Sequence, residues 1–244
     1  MVYKTNSEDF SIQGNKFLKD GFFKKAFIAF DKALKENPQD ALAWLGKGKA
    51  LKEGIEIGEL DEIEYGNLDE VIEYYDKALK QNPDLHEAWY SKGEALIDIG
   101  EEKKALIALD RALQLDPKFV PAWHKKGEAY QKLEQEEKAI DCWEKALHID
   151  PHYSDAYTSL TYQLYQNERY DEVVRYHEQN IKYNHTTDAG EWFYYAMCLS
   201  AIGKSTEAIE AWDKTILYCK REPVYEKQYL GDAYYNRGNE LLAV

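Results

Sequence analysis

Residues 86–119, HEAWYSKGEALIDIGEEKKALIALDRALQLDPKF, and residues 120–153, VPAWHKKGEAYQKLEQEEKAIDCWEKALHIDPHY, follow one another and superimpose without a gap. Trp89 falls on Trp123, Gly93 on Gly127, Ala105 on Ala139, Ala112 on Ala146 and Pro117 on Pro151. Self-similarity at a fixed period of 34 decides the architecture, because each copy is one supersecondary unit that buries its apolar face against its neighbour.

The register extends outward from these two copies. With proline at position 32 of the unit, Pro38, Pro83, Pro117 and Pro151 follow Asn or Asp at separations of 45, 34 and 34. Position 4 then holds Phe10, Trp44, Trp89, Trp123 and Tyr157, and position 8 holds Gly14, Gly48, Gly93, Gly127 and Thr161. Position 11 is Phe17, Leu51, Leu96, Tyr130 and Leu164. Later in the unit, position 20 reads Ala26, Val71, Ala105, Ala139 and Val173, and position 24 reads Phe30, Tyr75, Leu109, Trp143 and His177. Position 27 is Ala33, Ala78, Ala112, Ala146 and Asn180. A sixth copy runs one residue late, with Trp192, Ala196, Leu199, Ala208, Trp212 and Thr215. Tyr234, Gly238 and Leu241 match the first half of a seventh, after a longer connection containing Pro223. The copies are thus 7–40, 41–85, 86–119, 120–153, 154–188 and 189–222, with a last helix expected over 231–244.

Positions 4, 8 and 11, then 20, 24 and 27, recur every three or four residues, so each unit is two amphipathic helices, A and B. Gly21, Gly66, Gly100 and Gly203 stand at position 15, where a positive φ ends helix A. Proline cannot continue helix B and pushes the residue before it out of the α region. Pro121 opens the fourth helix A, where its missing N–H costs nothing. Small residues at 8, 20 and 27 let the helices approach, and the position 4 aromatic is expected to fill the space between them.

These residues resemble the tetratricopeptide repeat, and the resemblance covers nearly the whole chain. It implies an all-α fold of antiparallel helix pairs in a right-handed superhelical solenoid, whose concave groove binds peptides or protein surfaces. The fifth and sixth copies depart from the pattern: His185 and Lys220 stand where proline is expected, and Asn180 and Thr215 stand where alanine is.

The chain of 244 residues carries 31 basic and 45 acidic side chains, a net charge of −14 spread evenly along its length. Nucleic-acid and anionic membrane partners both require basic surface, so neither is expected. Cys142, Cys198 and Cys219 lie far apart with no CxxC, as in a reducing, cytoplasmic compartment. The polar start MVYKTNSEDF and the lack of a long apolar run suggest neither secretion nor a membrane span. No phosphate-binding glycine loop, nucleophile elbow or HExxH motif occurs, and Pro151 separates His148 from His152. No catalysis, metal or cofactor is therefore expected.

Eleven extra residues interrupt the second copy, and Glu53 to Glu64 contain six acids and no base. They read either as a loop or short helix whose apolar side is Leu60 and Ile63, or as a docking element for a basic partner through Glu56, Glu59, Asp61, Glu62 and Glu64. The last helix has no helix B to cover it; it is a cap, the start of a truncated repeat in a larger protein, or a self-association surface through Leu241 and Leu242.

The resemblance also implies which side chains face the groove: Tyr90 and His124 in copies 3 and 4, then Tyr162, Tyr165, Phe193, Met197 and Tyr235 in the last three. Of the clamp that tetratricopeptide domains use for acidic chaperone tails, a reading from the first copy finds only Asn15, and no other starting copy supplies the set of cations and amides. The C-terminal aromatics either line the groove as binding anchors or pack in the core. The sequence reading is thus a non-catalytic scaffold for a protein or peptide segment, with a structural or self-associating array as the alternative.

Overall fold

The computed structural model describes residues 6–61, 65–183, 188–221 and 223–243, and among these all regular structure is helical. The helices are α1 (Asn6–Lys19), α2 (Phe23–Glu36), α3 (Ala41–Glu56), α4 (Leu68–Gln81), α5 (His86–Asp98), α6 (Glu102–Leu115) and α7 (Val120–Lys132). They continue with α8 (Glu136–Ile149), α9 (Ser154–Gln166), α10 (Tyr170–Tyr183), α11 (Ala189–Ala201), α12 (Ser205–Arg221) and α13 (Pro223–Ala243). Two compact units divide the chain, Met1–Ala139 and Ile140–Val244, with the boundary inside α8.

In the first unit, consecutive helices pair antiparallel. Ser7 near the start of α1 donates to the Ala33 carbonyl near the end of α2, and Gly14 in mid-α1 faces Phe30 in mid-α2. The side chain at position 24 fills each pair: Phe30, Tyr75 and Leu109 are 0–1% exposed. Position 8 must be small to admit it. A Cβ on Gly48 would come within 2.5 Å of the Tyr75 ring, and one on Gly93 within 2.7 Å of Leu109. Gly46, at position 6 of the second copy, faces Phe30 from the following helix, so this ring is held between α1 and α3. Ala33, Ala78 and Ala112 at position 27, and Ala43, Ala88 and Ala122 at position 3, are fully buried where successive units meet.

The position 4 aromatics do something other than fill the helix pair. Trp44, Trp89 and Trp123 are half-buried, and each indole N–H donates to the carbonyl of the preceding proline, Pro38 at 2.8 Å, Pro83 at 2.8 Å and Pro117 at 3.0 Å. The Asn or Asp before each proline contributes as well, since Asn37, Asn82 and Asp116 accept from the N–H two residues on. This side-chain turn ends helix B and sets the corner. Tryptophan and proline therefore share one period because together they hold the bend between units.

The acidic insertion is partly structural. Helix α3 runs on to Glu56, and the chain turns back so that Leu60 is buried against Gly54, with Tyr65 edge-on to Phe27 at 5.7 Å. Phe22 offers no side-chain cap to α2, and the Glu59 carboxylate takes that role, accepting from the N–H groups of Phe23 at 3.0 Å and Lys24 at 3.3 Å. A carboxylate suits the positive end of the helix dipole. Glu56 pairs with Lys52, Asp61 is exposed, and Glu62, Ile63 and Glu64 lie outside the described residues.

In the second unit, His177 and Trp212 are again buried at position 24. Thr215, where alanine is expected, satisfies its hydroxyl on the Ala211 carbonyl at 3.0 Å within its own helix. The last helix corrects one expectation: α12 ends at Arg221 and α13 starts at Pro223, so Pro223 begins the helix rather than lying in a long connection. Ala233, at position 3, is fully buried like its counterparts. Positions 4 and 11, which elsewhere meet a helix B, leave Tyr234 and Leu241 about half exposed at 49% and 50%.

Two predictions concern these devices. Trp123→Phe keeps an aromatic ring and removes one hydrogen bond, so chemical denaturation should show a loss of about 1 kcal/mol. Helix A ends with positive φ at Gly100 (78°), but also at Glu134 (58°) and Glu168 (56°). A side chain with a Cβ is strained there, so Glu134→Gly should stabilise the protein by roughly 0.5–1 kcal/mol in the same assay.

Candidate functional site

The side chains expected in the groove divide between the two units. In the first, Tyr90 packs edge-on against Phe119 at 5.2 Å, and His124 is buried with Nε2 3.6 Å from Glu128. Tyr90 borders a cavity of about 310 Å³ with Lys49, Lys52, Glu53, Glu56 and Glu94. Two lysines face three carboxylates there, and burial holds Glu53 above the usual glutamate value. Lys52 is buried, which pushes its pKa down, but its hydrogen bond to Glu56 and the charges of Glu94 and Asp98 outweigh this and hold it above the usual lysine value. Lys125 lies 2.9 Å from Glu128, and Lys132 donates to the Ile97 carbonyl at 3.0 Å.

In the second unit the structure separates candidates that the sequence left together. Phe193 is half-buried, edge-on to Trp212 at 5.3 Å and against Tyr229 at 4.8 Å, so it belongs to the packing of α11 on α12 and α13. Met197 likewise meets α13, its sulfur 4.0 Å from Asn236. Tyr235 is 70% exposed on α13. Tyr162 and Tyr165 do line a cavity, of about 220 Å³, between α9, α10, α11 and α13.

Four further tyrosines line the same cavity, Tyr157, Tyr194, Tyr195 and Tyr229, with Thr158, Thr161, His177, Asp188 and Glu191. Tyr165 and Tyr194 meet edge-on at 5.3 Å, and the His177 ring stacks on Tyr195 at 4.1 Å and meets Trp192 edge-on. The polar groups are unevenly served. His177 Nδ1 lies 2.8 Å from the Tyr157 hydroxyl, while His177 Nε2 and Glu191 Oε2 are buried without a hydrogen-bond partner among the described residues. Asp188 caps α11, accepting from the Glu191 N–H at 2.9 Å. Burial pushes the pKa of His177 down to about 4 and, with the charge of Asp188, lifts that of Glu191 to about 7.

A signal for Glu191 is present in the register. It stands at position 3, where Ala43, Ala88, Ala122, Ala156 and Ala233 are each fully buried, so a charged residue there enters the joint with the preceding helix B. His177 stands at position 24, where the other copies hold Phe, Tyr, Leu or Trp. These two exceptions to the apolar pattern thus occupy one cavity.

Helix pairs with this internal packing define an all-α repeat protein. Two family models described as tetratricopeptide repeat match residues 62–126 and 120–153, so this stretch of the chain consists of tetratricopeptide repeats. Among solved structures, MamA is 29% identical, over 69% of this chain and 92% of that one, with a TM-score of 0.57. The pilF protein of Pseudomonas aeruginosa is 16% identical, over 91% and 96%, with a TM-score of 0.70. YrrB, described as a TPR protein with an unusual peptide-binding site, is 20% identical, over 82% and 98%, with a TM-score of 0.59. No curated protein sequence matches the chain. The family supports a protein-interaction scaffold, and repeats of this kind are generally non-catalytic. No helix among the described residues is long and apolar enough to cross a membrane.

Glu191 gives a pH prediction. Its folded pKa lies above the unfolded value, so the folded state favours the protonated form, and stability falls as pH rises from about 4.5 through about 7. His177 acts in the opposite sense, its stabilisation falling away as pH drops from about 6.5 through about 4. Glu191→Gln should therefore raise the thermal midpoint at pH 8 relative to the parent protein, and the gain should vanish by pH 4.

Proposed function

We propose that this chain is a non-catalytic scaffold that holds a segment of a partner protein, and that the tyrosine-lined cavity of the second unit is where the segment anchors. The observation that carries the reading is the gathering of six tyrosines around one cavity that also holds buried polar atoms lacking partners among the described residues. Tyrosine offers large contact area with few rotors and a polar tip, which makes it a common anchor at interfaces. The three buried cysteine thiols support placing the protein in a reducing, cytoplasmic compartment.

The test is selection of binding peptides from a random display library, followed by calorimetry on the parent protein and two variants. Tyr162 is 52% exposed at the cavity and Tyr235 is 70% exposed away from it, so both can be truncated at little cost in stability. Tyr162→Ala should weaken binding by roughly 2 kcal/mol, and Tyr235→Ala should leave it unchanged. The reverse ranking would move the site off the cavity.

A second reading rests on α13, which exposes Tyr234, Tyr235, Leu241 and Leu242, the last by 88%. Association of copies through this face would give a mass by light scattering that rises with concentration in the parent protein and not in Leu242→Glu.

A further inference from the structure

We infer that the tyrosine-lined cavity takes the primary ammonium group of a lysine side chain from the partner segment, with Glu191 as its counter-ion. This deepens the reading of the cavity as the anchor point and rests on it. The volume of about 220 Å³ is below that of sites for drug-sized molecules and suits one extended side chain.

The chemistry of the lining selects the charge. An anion would sit beside two carboxylates, Asp188 and Glu191. A neutral apolar side chain would leave Glu191 Oε2 and Nε2 of the 99% buried His177 without partners among the described residues, and a buried polar atom left unpaired is costly. A cation gives the carboxylate its missing partner and meets the negative faces of the tyrosine rings. The net charge of −14 draws basic segments towards the protein.

The same groups select among cations. A primary ammonium is a compact charge with three N–H donors, enough for Glu191 Oε2, His177 Nε2 and one tyrosine hydroxyl. This requires the His177 tautomer whose Nδ1–H donates to the Tyr157 oxygen, leaving Nε2 as acceptor. A guanidinium is a planar fork suited to two parallel oxygens, and a trimethylated lysine has no N–H to give.

The charged and titratable groups facing Glu191 come from every wall of the cavity. They are Asp188, Tyr194 and Tyr195 on its own helix with its cap, Tyr157, Tyr162 and Tyr165 on α9, His177 on α10 and Tyr229 on α13. Burial keeps His177 neutral, with its pKa near 4, and pushes the hydroxyls of Tyr157, Tyr165, Tyr195 and Tyr229 above the usual tyrosine value. Between pH 5.5 and pH 8, Glu191 passes from protonated to charged, and affinity for the cation should rise with it.

The experiment titrates the full chain with the N-acetyl methylamides of lysine, norleucine, arginine and trimethyllysine, following the amide resonances of the cavity residues by NMR. The lysine compound should bind at least about tenfold more tightly than norleucine at pH 8, and about tenfold more tightly at pH 8 than at pH 5.5. Glu191→Gln should abolish both differences. The pH comparison needs no variant, so a folding failure of Glu191→Gln would leave the question answerable.

Equal binding of norleucine and lysine would overturn the cation inference while leaving the cavity as an apolar anchor. Tighter binding of the arginine or trimethyllysine compound would overturn the assignment of a primary ammonium. If none of the four perturbs the cavity residues and a selected peptide shifts resonances elsewhere, the inference and the proposed anchor point both fall.

Discussion

The structure depends on one packing constraint, the close approach of two helices around the side chain at position 24. Phe30, Tyr75 and Leu109 each occupy a space that exists only because the facing residue is glycine. Interiors packed at crystal-like density leave no slack for an added methyl group. Once that contact is set, the spacing of the helix pair and the alanine joint to the next unit follow. Turn chemistry then directs the chain to the next copy. Stability in such an array is a sum of similar local terms, so one position can depart from the pattern without collapse of the rest.

The proposed anchor cavity holds two departures from this pattern. In the sixth copy a carboxylate replaces the alanine of position 3, and in the fifth an imidazole replaces the apolar residue of position 24. Both are costly in a joint built for apolar contact, and both are only partly satisfied. The contrast with the first unit is informative. There Lys52 is buried too, but Glu56, Glu94 and Asp98 surround it, so its charge is paired.

Much of the fold was legible in the sequence because glycine, alanine, proline and aromatic residues at fixed spacing carry their own steric reasons. The helix pairs, the position 15 turns and the buried alanines all follow from the 34-residue register. The tryptophans were legible as a period but not as a role, since a half-buried indole bonded to a proline carbonyl has the same spacing as one that fills a core. The cavity was half legible. Tyr162 and Tyr165 stood at groove positions and Glu191 at a position of buried alanines, but that they meet in one cavity is visible only in the structure. Phe193 and Met197 hold groove positions as well, yet α13, running from Pro223, packs against both, and a helix that begins so early leaves no mark in the 34-residue register.

The turn of Glu59 and Leu60 bears on how the array comes apart. Here the second copy reaches back, closing the N-terminus of α2 with a carboxylate and placing Leu60 near Phe23. The first helix B cannot lift away without uncapping itself and exposing that leucine. The insertion thus acts as a clasp that ties the start of α2 to the second copy.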